Sequence, residues 1–151
     1  MRKVPKVEPS TAQGPQEVLD RRVPKSRLAL VALCLYWPTI FLISHIPKRY
    51  VPKNVEISGT IVHLGAYFIL TLLIFLNAGL LCSTSLRSKK TWFLAGVIAV
   101  YAAVDELLQL FVPGRYGSLT DWTIDVAACL FCIVLLAILA GVRQYRSADS
   151  D

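Results

Sequence analysis

Four apolar stretches, residues 28–46, 57–82, 91–112 and 119–142, each approach or exceed the roughly 20 residues a helix needs to cross a hydrocarbon core. Inside lipid every backbone N–H and C=O must be satisfied within the chain, so such stretches fold as helices. The connections, residues 47–56, 83–90 and 113–118, are short and polar, which makes successive helices antiparallel neighbours. The predicted fold is an all-α, integral-membrane four-helix bundle. Composition agrees: the chain is 55% hydrophobic and 17% charged, with a mean hydropathy of +0.55. Soluble domains hold about 45–50% apolar and about 25% charged residues. A length of 151 residues leaves no room for a separate catalytic domain, and a soluble enzyme is excluded. Pro38 is expected to kink the first helix, because it removes a backbone donor and crowds the preceding turn. The stretch 57–82 exceeds a minimal span, so it tilts or extends past the lipid.

Three units follow from this pattern. Residues 1–27 read as a disordered, basic cytoplasmic tail, 28–142 as the transmembrane domain and 143–151 as a polar C-terminal tail. Residues 28–46 could imitate a signal sequence behind the Arg21-Arg22 pair. An h-region, however, runs only about 7–15 residues, and no small-x-small site follows. Lys and Arg set the orientation: twelve of the sixteen lie in the two tails and the 83–90 loop, and four lie in the other two loops. The positive-inside bias places both termini in the cytoplasm, as a multi-pass protein of the cell membrane. The net charge of +6 therefore orients the chain, and no nucleic-acid partner is expected. Cys34, Cys82, Cys129 and Cys132 fall within or beside apolar runs and read as small hydrophobes. Cys129-x-x-Cys132 resembles a redox pair in spacing only.

Against this apolar background the ionisable residues stand out. The second stretch holds His63 and Tyr67, the third Asp105, Glu106 and Gln109, and the fourth Asp121 and Asp125. An ionisable group at mid-span costs at least about 2.5–3.5 kcal/mol, so it requires a partner or a wet cavity. At about 1.5 Å per residue, His63, Asp105 and Asp125 all lie roughly 9–10 Å from the outer ends of their helices. Three helices thus place polar groups in one layer. Ala95, Ala99 and Ala103 form a small-residue row with Ala102 beside it, and Glu106 continues the row, which turns Glu106 into the bundle. Asp105 is displaced by about 100° and faces a different partner. Asp121, Asp125, Ala128 and Cys132 share a face, as do His63, Ala66 and Tyr67. Tyr36, Trp37, Trp92 and Trp122 read as interfacial anchors, and His45 and Lys48 as interfacial residues.

The loop Pro113-Gly114-Arg115-Tyr116-Gly117-Ser118 breaks the third helix and permits a tight turn. Ser118 and Asp121 have the spacing of a capping box for the fourth helix. Arg115 can fold over the polar layer and offer bidentate hydrogen bonds to a carboxylate or phosphate. Asp105-Glu106-x-x-Gln109, Pro113-Gly114-Arg115, Ser118 and Asp121, preceded by His63-x-x-x-Tyr67, resemble the signature of the VanZ-like family of membrane proteins. The resemblance spans about residues 44–142. Four positions depart from the family pattern: Asp125 where Asn is usual, Ala128 where Gly is common, and Gly59-Thr60 for a frequent Asp-Lys pair. The first adds a fourth acid to the layer. The resemblance implies a small multi-pass protein whose namesake is associated with resistance to teicoplanin, a lipoglycopeptide, without implying a reaction.

Four acids cannot all stay charged in a dry site. An interhelical hydrogen-bond cluster, a ligand pocket open to the outer leaflet and a bound cation therefore all stay open, and the pocket is preferred. Neither a metal nor another cofactor is expected, because no H-E-x-x-H or comparable spacing is present. Two function classes survive. In the preferred one, the protein binds a membrane lipid or lipid-linked envelope molecule through His63, Tyr67, Asp105, Glu106, Gln109, Arg115, Asp121 and Asp125, with Arg115 on an anionic head group. In the other it is a membrane-embedded enzyme with Glu106 or Asp105 as acid or base, His63 as partner and Arg115 stabilising an oxyanion. Proton-coupled transport is disfavoured, since broken-helix repeats are missing. A homo-oligomer is compatible with either class.

Overall fold

The computed structural model describes residues 27–50 and 59–149. The expected N-terminal tail, apart from Arg27, residues 51–56 of the expected first loop, residues 57–58 of the second apolar stretch and residues 150–151 of the expected C-terminal tail lie outside the described residues. The described residues hold four α-helices: α1 (Arg27–Ser44), α2 (Gly59–Asn77), α3 (Lys89–Gln109) and α4 (Leu119–Ala148), with a short 3-10 turn at Lys48–Tyr50. There is no strand among the described residues. Each helix is long and apolar enough to cross a membrane.

The helices differ from the hydropathy pattern at their ends, for local reasons. α2 stops at Asn77, although apolar residues continue to Cys82. Gly79 takes φ +71°, Leu80 N–H donates to Phe75 O at 2.9 Å and Gly79 N–H donates to Leu76 O at 3.1 Å. That pair of bonds is a Schellman stop, and the left-handed residue at its centre favours glycine. α4 instead runs on to Ala148, through most of the expected C-terminal tail. Arg143, Gln144, Arg146 and Ala148 are good helix formers, and Arg146 in the last turn complements the helix dipole. α1 continues through Pro38, which lies inside it.

α2 and α4 form the central pair, with α3 packed on α4 and α1 on α2. Their shared core holds Leu70, Phe75, Ile98, Cys132 and Ile133, all essentially inaccessible. In lipid, such packing and interhelical hydrogen bonds hold helices together, because the surrounding tails are as apolar as the core. Leu28, Phe93, Phe111 and Phe131 point outward, which suits a lipid-facing surface. The two ends of the bundle are tied differently. At the end that holds the start of α1 and the α2–α3 connection, Asn77 Nδ2 donates to Ala29 O of α1 at 3.0 Å, and Lys90 Nζ donates to Ala78 O at 3.1 Å. The opposite end carries the polar layer.

Several aromatic residues expected as interfacial anchors tie the bundle instead. Tyr36 Oη donates to Ala66 O at 3.1 Å, Trp122 Nε1 donates to Ala99 O at 3.1 Å, and Trp37 stands edge-on to Tyr101 with centroids 5.2 Å apart. Hydropathy cannot separate these roles, since an amphipathic ring suits either. Trp92 alone of the four is exposed, and its Nε1 donates to Leu86 O at 2.8 Å.

Candidate functional site

Asp105, Glu106, Gln109 and Asp125 are buried together at one end of the bundle. On α3 the buried stripe runs Thr91, Ala95, Ile98, Ala102, Asp105 and Gln109, with Glu106 alongside. It passes through Ala102, so Ala99 and Ala103 lie at its margin, half-buried. The stripe turns Asp105 and Glu106 toward different neighbours, as their 100° offset requires. Asp105 faces α1: Ser44 Oγ donates to its Oδ1 at 3.0 Å, with His45 Nδ1 3.7 Å from the same oxygen. Glu106 faces the start of α4, where Ser118 N–H donates to its Oε2 at 2.7 Å. Gln109 lies one turn further along α3, and its Nε2 donates to Asp105 Oδ2 at 3.1 Å and to Glu106 Oε1 at 3.3 Å.

That arrangement alters the expected capping box. Ser118 does cap α4, its Oγ accepting from Asp121 N–H at 3.2 Å. The reciprocal bond to Ser118 N–H comes from Glu106 of the preceding helix, whose carboxylate outreaches the shorter Asp121. Gly117 makes the approach possible. A Cβ there would lie 2.5 Å from Glu106 O, so only a residue without one fits.

Asp125 is inaccessible on α4, and its Oδ1 lies 3.0 Å from His63 Nδ1 on α2. The two central helices are thus joined by a carboxylate–imidazole contact. Both oxygens of Asp105, both of Glu106 and Asp125 Oδ1 have a hydrogen-bonding partner; Asp125 Oδ2 has none. One ligand atom each from His63, Glu106 and Asp125 can be chosen so that all lie within 4.8 Å of one another. These three could hold a cation.

Beside this layer, between α1, α2 and α3, lies a cavity of about 460 Å³. Ile40, Ile43, Ile46 and Val62 supply apolar walls, and His63, Tyr67, Asp105 and Arg115 supply polar groups. Tyr67 Oη and Tyr101 Oη are buried without a hydrogen-bond partner, and both residues line it. Arg115 Nε donates to Ile46 O at 3.1 Å, and one Nη to Ile43 O at 3.5 Å. It therefore caps the carbonyl end of α1, while a guanidinium has five N–H donors in all.

Of the residues singled out in the sequence, His63, Tyr67, Asp105 and Arg115 border the cavity. Glu106 and Gln109 join it through Asp105, and Asp125 through His63. Asp121 is half-buried near the start of α4 and is not among the cavity residues. Sequence reasoning missed Ser44, His45 and Tyr101. Ser44-His45 sits at the end of an apolar run and has the look of an interface. The one available signal was an unassigned partner for Asp105.

Four packed, spanning helices with acids buried at one end define a multi-pass membrane protein. Comparison with known families adds the particular relationship. Residues 28–140 match the VanZ/LLP1 family, and the chain belongs to it. Comparisons with curated proteins and with solved structures gave no match.

Proposed function

We propose that the protein binds a lipid-like or lipid-linked molecule of the cell envelope from the outer leaflet, as a binding or accessory protein. The observation that carries this reading is the cavity of about 460 Å³, with aliphatic walls and Arg115, His63 and Asp105 at its polar positions. That volume is in the range of small-molecule sites, which are mostly apolar with a few placed polar groups. An acyl or isoprenoid chain matches the walls; an anionic head group matches Arg115, whose planar fork suits phosphate or carboxylate. Orientation with both termini in the cytoplasm, supported by the distribution of Lys and Arg, sets this end in the outer leaflet. For a member of this family, altered susceptibility to teicoplanin is the corresponding phenotype.

Lipids that copurify with the protein in native-membrane particles test this reading by mass spectrometry. Phosphate-bearing lipids should be enriched over the bulk membrane for the wild type. Val62→Phe, which fills the cavity, and Arg115→Lys, which keeps charge but loses the fork, should both reduce the enrichment. Identical lipid profiles in all three would overturn it.

A second reading, a membrane-embedded acid–base enzyme, is favoured by one contact: His63 both borders the cavity and meets Asp125 at 3.0 Å. Glu106 or Asp105 would then exchange a proton with substrate while Arg115 steadies developing negative charge. In that case Glu106→Gln abolishes the resistance or envelope phenotype at normal membrane abundance.

A further inference from the structure

The unpartnered oxygen of Asp125 needs an explanation. Asp125 is inaccessible, and the other five oxygens of the buried acids are satisfied. A polar atom left unpaired in a lipid-embedded interior costs several kcal/mol. Around Asp125 stand an imidazole and a second carboxylate, with one donor atom of each residue in a group no wider than 4.8 Å.

We infer that His63, Glu106 and Asp125 form a binding site for one divalent first-row cation, with Zn²⁺ the ion that best suits the donor set. Three observations converge on it. Imidazole and carboxylate oxygen are ordinary zinc ligands, with bonds of about 2.0–2.2 Å. Such bonds place neighbouring ligand atoms roughly 3.0–3.6 Å apart; His63 Nδ1 and Asp125 Oδ1 stand at 3.0 Å, and a bidentate Asp125 would bring its unpartnered Oδ2 onto the same ion. Two carboxylates with a dication and a neutral imidazole carry no net charge, the state favoured where dielectric is low. Finally, Glu106 is oriented from behind by Gln109 Nε2 and Ser118 N–H, the outer support that ligand carboxylates typically have.

The three ligands come from α2, α3 and α4, so no short sequence spacing announces them. His63 alone of the three borders the cavity, which provides an entry path. The site does not depend on what occupies that cavity, because metal content is read with no other ligand present.

The full-length protein in lipid nanodiscs, stripped with EDTA, exposed to Zn²⁺ and desalted, should retain about one zinc per chain. His63→Ala, Glu106→Gln and Asp125→Asn should each weaken retention by about tenfold or more, while Thr123→Ala on the exposed face of α4 should not. Helical content and monodispersity accompany each variant. The wild type also provides a readout that no variant's folding affects: Co²⁺ in place of Zn²⁺ should give d–d absorption without a thiolate charge-transfer band. Three outcomes overturn the inference: no retained metal in the wild type, a cobalt–thiolate band placing the ion on cysteine, or undiminished retention in folded Glu106→Gln and Asp125→Asn. The first would leave a proton on Asp125 as the occupant.

Discussion

Replacing Gly117 with alanine adds one methyl group at the point where the loop before α4 crosses α3. The new Cβ would lie 2.5 Å from Glu106 O and 3.1 Å from Leu110 Cδ2. Carbon and carbonyl oxygen normally approach no closer than about 3.3 Å, so the loop must retreat by roughly 0.8 Å. Ser118 is the next residue, and its N–H donates to Glu106 Oε2 at 2.7 Å. A retreat of that size stretches the bond to about 3.5 Å, beyond useful hydrogen-bond length. Loss of a hydrogen bond to a charged group costs about 1.5–3 kcal/mol, and overpacking about 1–3 kcal/mol more. Gly117→Ala should therefore destabilise the protein by roughly 2.5–6 kcal/mol. Gly96→Ala is the matched control: its added Cβ meets nothing within 4 Å, and removing glycine from a helix interior should stabilise by roughly 0.5–1 kcal/mol. Reversible unfolding in mixed micelles, followed by helical circular dichroism, measures both. A Gly117→Ala protein as stable as the Gly96→Ala protein would show that the approach to Glu106 imposes no constraint.

Other perturbations address the remaining links. Asn77→Leu removes the hydrogen bond to Ala29 O, and the same unfolding assay should show a loss of about 0.6–1.7 kcal/mol, the range for interhelical bonds in membranes. Ser44→Ala and Gln109→Leu each remove a donor to Asp105. Their double mutant should depart from additivity by about 0.5 kcal/mol or more, because both act on one carboxylate; strict additivity would deny that shared role. Topology is read by impermeant thiol labelling of intact cells, with single cysteines at Tyr116 and Ser85 in an otherwise cysteine-free chain. Tyr116→Cys should label and Ser85→Cys should not; the reverse pattern would invert the orientation.

The helices and the gathering of the acids toward one end of the bundle were legible because both follow from positions along one helix at a time. Hydropathy marks a span, and a rise per residue converts position into depth. Helix ends were less legible: residues 78–82 are as apolar as the span before them, and the stop after Asn77 depends on the backbone of Gly79. Contacts across the bundle were legible only in part. The offset between Asp105 and Glu106 showed that they face apart, but not that Ser44 meets one and Ser118 N–H the other. Arg115 was readable as a group above the layer. That it caps α1 at Ile43 and Ile46 requires the fold, since those residues lie about seventy positions earlier.

The way the four helices are held determines what kind of site this end of the bundle can form. α2 and α4 carry His63 and Asp125 on the same interface that buries Leu70, Phe75, Cys132 and Ile133 further along. Close packing there fixes the carboxylate–imidazole contact, because a packed interior resists displacement. α1 has a single buried residue, Ala29. Toward the other end it is held by Ser44 on Asp105, Tyr36 on Ala66 and the Arg115 bonds to Ile43 O in its last turn and Ile46 O just beyond it. Yet α1 supplies Ile40, Ile43 and Ser44 to the cavity, and the turn after it supplies Ile46. The cavity thus lies between a rigid platform and the most lightly packed helix. A molecule seated against those isoleucines adds contacts that α1 otherwise lacks, so its binding and the docking of α1 are thermodynamically linked. By reciprocity, undocking of α1 would weaken the molecule's binding by the same free energy that binding adds to the docking of α1. The hydrogen bonds to Asp105 and from Arg115 would therefore bear on the affinity for such a molecule even without touching it.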